Sequence, residues 1–287
     1  VEVALGSEPV NWLERGQQAP VSYVARKAAP KPTAPGRAPG ASTPTGQTAG
    51  RVAPARPQAP ASSGAATRPP TAPAVTLSDE VAEANARDAA RQARSLDDLE
   101  TLLRGFDGCG LKKTAKNLCF YRGAPQARVM IIGEAPGADE DRSGVPFVGR
   151  AGQLLDKMLA AIDLSEADTH ITNVVYWRPP GNRVPTPQET LVCRPFLERQ
   201  IRLVNPELIV TVGGAAAKLI LGVNQGIMKT RGKWGALDVP AEDGEAPMSV
   251  TVMPTLHPAY LLRSPAHKRH AWRDLLAIRQ RLDDRAG

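Results

Sequence analysis

Short apolar runs recur along the second half of the chain, each closed by a small or turn-forming residue: VMIIG at 129–133, HITNVVY at 170–176, ELIVTVG at 207–213 and VTVM at 250–253. Runs of this length, rich in β-branched residues, predict buried strands, with a further strand near Ala236. Between them, apolar residues fall at helical spacing, which predicts helices over 150–163, 187–203 and, opening from Gly213 and Gly214, 215–221. Upstream, Ser95 with Asp98 three residues on predicts a capping box that starts a helix running to about Arg104. Downstream, Ser264 followed by Pro265 predicts the start of a C-terminal helix. Strands alternating with helices imply an α/β fold of three layers, αβα, in which a central, mainly parallel sheet carries helices on both faces. That architecture hosts many chemistries and decides none of them.

Composition divides the chain before chemistry does. Residues 1–19 hold one small apolar motif, PVNWLERG, which fits the end of a short helix; 20–80 collapse to Ala, Pro, Gly, Ser and Thr with scattered cations. Such a tract buries too little apolar surface to fold and is expected to be a disordered tether. Residues 81–287 are the expected folded domain. The formal charge of +7 favours a polyanionic partner. Residues 1–80 hold eight Lys+Arg against five Asp+Glu, leaving 28 against 24 for the rest, so a nucleic-acid face must come from local clustering. No run approaches the roughly 20 apolar residues of a membrane span. Three cysteines, an odd number without an export signal, predict a reducing compartment, the cytoplasm.

Four candidate elements follow predicted strands. The turn GEAPG places Gly133, Glu134 and Ala135 just past the carboxyl end of the strand at 129–132, where open α/β sheets bind ligands. Glu140 lies a few residues on, and Phe147 offers a flat ring between Pro146 and Gly149. Asn173 presents a donor beside an acceptor, the pattern that pairs with the edge of uracil and refuses cytosine, whose exocyclic amine puts a donor where a carbonyl is needed. Phe147 can stack on a base face. His257, followed by Pro258, can donate to a carbonyl oxygen that gains charge as a glycosidic bond breaks. Arg150, Arg178 and Arg263 sit in or beside the strand-end loops, the rim that a phosphate backbone crosses.

These segments, GEAPGADED, PFVGRAGQLLD, TNVVYWRPPGNRVPTPQE, CRPFLERQI, RGKW and TLHPAYLL, stand in the order found in the family 4 uracil-DNA glycosylases, which the chain resembles over about residues 103–282. The resemblance implies a DNA repair hydrolase that flips uracil out of single- or double-stranded DNA and leaves an abasic site, acting as a monomer. It assigns catalysis to Glu134 and His257, with Glu140 as an alternative carboxylate for positioning the water. It assigns uracil contacts to Gly133, Ala135, Phe147 and Asn173. Residues 258–263 become a DNA-intercalating loop, with Tyr260 and Leu261 filling the hole left by the flipped nucleotide. Better-known relatives place an aspartate where Ala135 stands and a thymine-excluding tyrosine where Gly137 stands.

The family also implies a 4Fe-4S cluster on four cysteines. Here Cys109 and Cys193 match two of the positions, whereas Phe106 and Trp177 occupy the other two. The expectation is a chain with no cofactor, Cys109 and Cys193 being remnants of a cluster site. Lost ligands and Ala135 leave a second reading open: a uracil- or abasic-site-binding protein that turns over slowly.

Overall fold

The computed structural model describes residues 77–241 and 244–285, so the PVNWLERG motif and the Pro/Ala-rich tract up to residue 76 lie outside the described residues. The first helix, α1 (Leu77–Arg91), begins inside the stretch expected to be tether. Its buried face is built from Ala86 and Ala90, four apart. Alanine favours helix but carries little apolar area, so the segment has no strong hydrophobic period to announce it. The next helix, α2 (Leu96–Gly105), opens on the expected capping box: Ser95 Oγ accepts from the Asp98 N–H, and the Asp98 carboxylate accepts from the Ser95 N–H. Leu96, Leu99 and Leu103 form its buried stripe.

The strands are β1 (Arg122–Gly123), β2 (Val129–Gly133), β3 (Thr169–Asn173), β4 (Leu208–Val212), β5 (Gly235–Val239) and β6 (Met248–Thr255). They form one sheet in the order β1-β3-β2-β4-β6-β5. The inner four are parallel, and β1 and β5 run antiparallel at the edges. Alternate side chains of β2 serve opposite faces, as the period of a strand requires. Met130 and Ile132 join the core under α1, α2 and the long α5 (Pro187–Val204), whereas Val129 and Ile131 join the core on the other face. The second core also takes in α4 (Arg150–Ala160) and α9 (Lys268–Asp283). The remaining helices are short: α3 (Ala138–Ser143), α6 (Gly214–Leu221), α7 (Ile227–Thr230) and α8 (Pro258–Arg263). The expected three-layer αβα arrangement is the observed one.

Four expected boundaries differ, each for a local reason. The strand at 170–176 ends at Asn173, because β2 turns away at Gly133; Val174 and Val175 follow it and donate to the carbonyls of Gly133 and Glu134. The helix from 150 stops at Ala160, three residues short, and Asp163 takes φ +55° in the turn beyond. Ser264 makes no side-chain cap; a single 3₁₀ turn at Pro265–His267 precedes α9. The segment 258–263, expected as a loop, is the helix α8 with Pro258 in its first turn, where the missing N–H costs nothing. No helix among the described residues is long and apolar enough to cross a membrane.

The chain leaves β2 to build β3 on one side and returns to build β4 on the other. The crevice at this reversal, outside the carboxyl ends of the strands, is the position where a ligand fits.

Candidate active site

Each of the four parallel strands delivers one element to a cleft of about 470 Å³ at their carboxyl ends. From β2 come Glu134, Ala135, Pro136 and Gly137; from β3, Asn173; from β4, Gly213 and Gly214; from β6, His257. Glu140 and Phe147 line the same cleft. Residues separated by more than 120 positions in sequence are therefore gathered by one sheet.

Phe147 is held in a conformation that its side chain disfavours. Its φ is +56°, left-handed backbone that bulky residues rarely adopt, and its ring is buried. Gly152 is what permits this: a Cβ there would lie 1.6 Å from the Phe147 carbonyl oxygen. Gly133 plays the matching part on β2, since a Cβ on it would fall 2.4 Å from both Asn173 Oδ1 and Phe147 Cζ. Gly133 thus shapes the floor by absence, bringing the Asn173 amide and the Phe147 ring together. Asn173 is buried, and its Oδ1 has no hydrogen-bond partner among the described residues. An unpartnered buried acceptor costs roughly 1–3 kcal/mol, which a ligand N–H arriving there returns.

His257 caps α8, and the cap fixes its proton. Nδ1 accepts from the Ala259 N–H at 3.1 Å, so in the neutral ring the hydrogen resides on Nε2. Burial drives the imidazole pKa down to about 4, with the Arg263 charge adding to the effect. At neutral pH the side chain is therefore a neutral Nε2–H donor. Its ring lies 5.9 Å from that of Phe147, inclined by 27°.

The end of β6 is anchored from behind by a group that the sequence did not single out. Asp274 of α9, 1% exposed, accepts from Thr255 Oγ1 at 2.7 Å and from the Arg231 guanidinium, which also donates to the His270 carbonyl. Gly232, at φ +71°, has no room for a Cβ against Asp274 and donates to the Pro254 carbonyl. Thr255 lies two residues before His257, so this buried pair fixes the approach to the site. An aspartate inside an amphipathic helix reads as a solvated charge until its partner is known.

The two candidate carboxylates separate cleanly. Glu140 is a clasp: one oxygen accepts from the Gly137 N–H at 3.0 Å and the other from the Gly149 N–H at 2.9 Å, tying the GEAPG turn to the start of α4. Glu134 makes no side-chain hydrogen bond among the described residues and is half-buried; desolvation raises its pKa above the usual carboxylate value. Ala135 lines the cleft and packs against the core, offering no polar group where an aspartate would stand.

Comparison with known families agrees with this assembly. The model for the uracil DNA glycosylase superfamily matches residues 120–276, more than half of the chain and all four strand ends. The chain belongs to the uracil DNA glycosylase superfamily. It is 39% identical over 181 residues to the type-4 uracil-DNA glycosylase of Pyrobaculum aerophilum, covering 63% of this chain and 91% of that protein. The type-4 uracil-DNA glycosylase of Archaeoglobus fulgidus is 39% identical, with 60% and 85% covered, and that of Thermotoga maritima is 38% identical, with 56% and 79% covered.

Around this superfamily site, two residues of the rim are placed differently from the expectations, Leu261 and Arg178. Leu261, expected to fill the hole left by a flipped nucleotide, is 1% exposed and packs into the core beneath α8, where it anchors that helix. Because 258–263 is helical, its neighbour Leu262 turns outward, 38% exposed. Tyr260 lines the cleft, with its ring 5.3 Å from that of His267. Arg150 and Arg263 are exposed and carry no ion pair among the described residues. Arg178 is half-buried and committed inward, donating to Asn182 Oδ1 at 2.7 Å and lying 3.8 Å from Asp141.

The residues present do not fit the family's cluster. Cys109 and Cys193 are both buried, with sulfurs 3.9 Å apart. The flanking positions hold apolar rings: Phe106 tilts on Phe196 at 5.1 Å, and Trp177 is 3% exposed against Tyr176. Cys119 lies elsewhere, its thiol donating to the Glu140 carbonyl at 3.1 Å and pushed up to about 12 by burial. Among the described residues, no group of three or more His, Cys, Asp or Glu side chains converges on a metal site. Four-thiolate ligation has two thiols and two packed aromatic rings here.

Proposed function

We propose that this protein is a DNA repair enzyme, a uracil-DNA glycosylase that rotates uracil out of DNA and hydrolyses its N-glycosidic bond, leaving an abasic site. The observation that carries the reading is the convergence, in one cleft, of an unpartnered Asn173 acceptor, the Phe147 ring and a neutral His257 Nε2–H.

In this mechanism the flipped base lies against Phe147, and the Asn173 amide reads its edge: Oδ1 takes the ring N–H, and the amide N–H meets the adjacent carbonyl. Cytosine presents no ring N–H there and places an amine against the Asn173 donor, so it is refused. As the glycosidic bond stretches, negative charge gathers on the uracil oxygens and positive charge on the sugar. His257 Nε2–H donates to the oxygen that gains charge. Being neutral, it stabilises that charge without the cost of a buried imidazolium in the empty site; a donor of this kind contributes roughly 10²–10³ in rate. Glu134, the carboxylate with no competing protein partner, positions the water and opposes the sugar cation. Glu140 supports the reaction indirectly by holding the turn.

On this reading the substrate is uracil in single- or double-stranded DNA, the product abasic DNA, and the enzyme works as a cytoplasmic monomer without a cluster. The test is cleavage of a uracil-containing oligonucleotide followed by alkali, comparing wild type with Asn173→Ala and His257→Ala, with iron measured on the same preparation. Strand scission by wild type, a loss of about 10²-fold or more in each variant, and no iron are expected. Absence of scission, with tight retention of abasic DNA, would replace the enzyme by a binding protein.

A further inference from the structure

The most exposed large apolar side chain among the described residues is Val184, at 68%. A single exposed valine is unremarkable on an open surface, so its position decides its meaning. Val184 sits in the segment joining β3 to α5, on the rim of the uracil cleft beside Asn182 and Arg183. At the other end of the row of four parallel strands, β6 leads into α8, where Leu262 is exposed between the cleft-lining Tyr260 and Arg263.

The loop that carries Val184 is braced. Arg183 reaches Glu189 with both guanidinium nitrogens, at 2.8 and 2.6 Å, and donates to the Val184 carbonyl at 3.1 Å. Glu189 and Thr186 close a capping box at the start of α5. Arg178 holds Asn182, and Pro179, Pro180, Pro185 and Pro187 limit the backbone. The Arg183 charge is consumed in this bracing, which leaves Val184 as the group the loop offers outward. A rigid apolar projection at the mouth of a base-flipping cleft has a defined use: entering the base stack beside the extruded nucleotide, where unstacking must be offset by contacts with an apolar side chain.

We propose that Val184 is a wedge, entering duplex DNA from the β3 side of the cleft beside the extruded nucleotide, so that the flipped state is held there by an apolar contact. The inference rests on the glycosylase reading above. It concerns duplex substrate specifically, because a single strand has no pairing to be broken and little stacking to be replaced.

The test is the ratio of single-turnover cleavage rates on a duplex carrying one uracil opposite adenine and on the same strand alone. Val184→Ser is expected to lower that duplex-to-single-strand ratio about tenfold, and Val184→Leu, which retains an apolar projection, to hold it near wild type. In parallel, 2-aminopurine beside the uracil should brighten on binding wild type and less on binding Val184→Ser, a reading that does not depend on turnover. A ratio unmoved by Val184→Ser, or equal loss from serine and leucine, overturns the wedge while leaving the glycosylase intact. A wild type that cleaves neither substrate overturns the glycosylase reading, and the wedge falls with it.

Discussion

His170 and His257 are the same chemical group in nearly the same electrostatic condition, and the fold leaves them with opposite hydrogen-bonding states. Burial drives both imidazoles down to about 4, so both are neutral at physiological pH. His170, near the start of β3, has both nitrogens occupied: Nδ1–H donates to the Ala124 carbonyl at 2.8 Å, and Nε2 accepts from Gln200, whose Oε1 takes the Tyr176 hydroxyl. Tyr121 stacks on its ring at 4.3 Å. His257, just past the end of β6, lines the cleft with one nitrogen occupied by the Ala259 N–H and no hydrogen-bond partner on the other among the described residues. A depressed pKa therefore does not tell the two apart; the unspent hydrogen-bonding edge of His257 does. Asn173 repeats the lesson one strand away, with its buried Oδ1 left unpartnered.

The sharpest way to break this comparison is to remove each ring. His257→Ala is expected to slow single-turnover cleavage about 10²–10³-fold while changing denaturant unfolding little. His170→Ala should lower unfolding free energy by roughly 3 kcal/mol, because it strands two buried partners, while each folded molecule cleaves at close to the wild-type rate. Equal loss of rate per folded molecule in both variants would erase the distinction. Next in size is Gly133→Ala, whose new methyl meets Asn173 Oδ1 and Phe147 Cζ. It should cost about 10- to 100-fold in rate, with a smaller effect on unfolding, because the cleft edge is where the displaced groups can yield.

A different kind of test is pH dependence, and its sign is set by the two depressed values. In the unfolded chain each histidine takes up a proton near pH 6.5, whereas in the folded protein neither does so until about pH 4. Between those values the unfolded state holds more protons, so stability falls as pH is lowered, by up to about 2.7 kcal/mol per unit from the pair. Urea titrations from pH 7 to 4.5 should show this slope, and His170→Asn should remove about half of it. Cleavage, by contrast, should show no inflection from His257 between pH 6 and 8. An inflection there that vanishes in His257→Asn would mean that the catalytic form is the imidazolium.

Much of the site was readable before any coordinates. The strand runs, the turn glycines and the TLHPAYLL segment are local patterns, and they place Glu134 and His257 just past strands, whereas Asn173 reads as part of a strand that the structure ends at that residue. What escaped was whatever depends on a partner distant in sequence. Glu140 reads as a candidate for water chemistry until Gly149 is seen to occupy its second oxygen. Leu261 and Leu262 are indistinguishable as letters; the helical turn of α8 buries one and exposes the other. Asp274 reads as a surface charge on α9 until Arg231 and Thr255 meet it.

The sequence by itself determined the layering and the inventory. Apolar periodicity decides which segments become strands and which helices, because each residue's preference for burial acts locally, and the order of strands and helices then leaves few topologies open. Only the tertiary structure decided which polar atoms remained unspent. Whether Asn173 Oδ1, the Glu134 carboxylate and His257 Nε2 are available depends on every other donor and acceptor that packing brings within about 3 Å, and those neighbours come from strands far apart along the chain. On the proposed mechanism, function lies in the groups that folding left unsatisfied, and that remainder exists only once the whole sheet has closed around it.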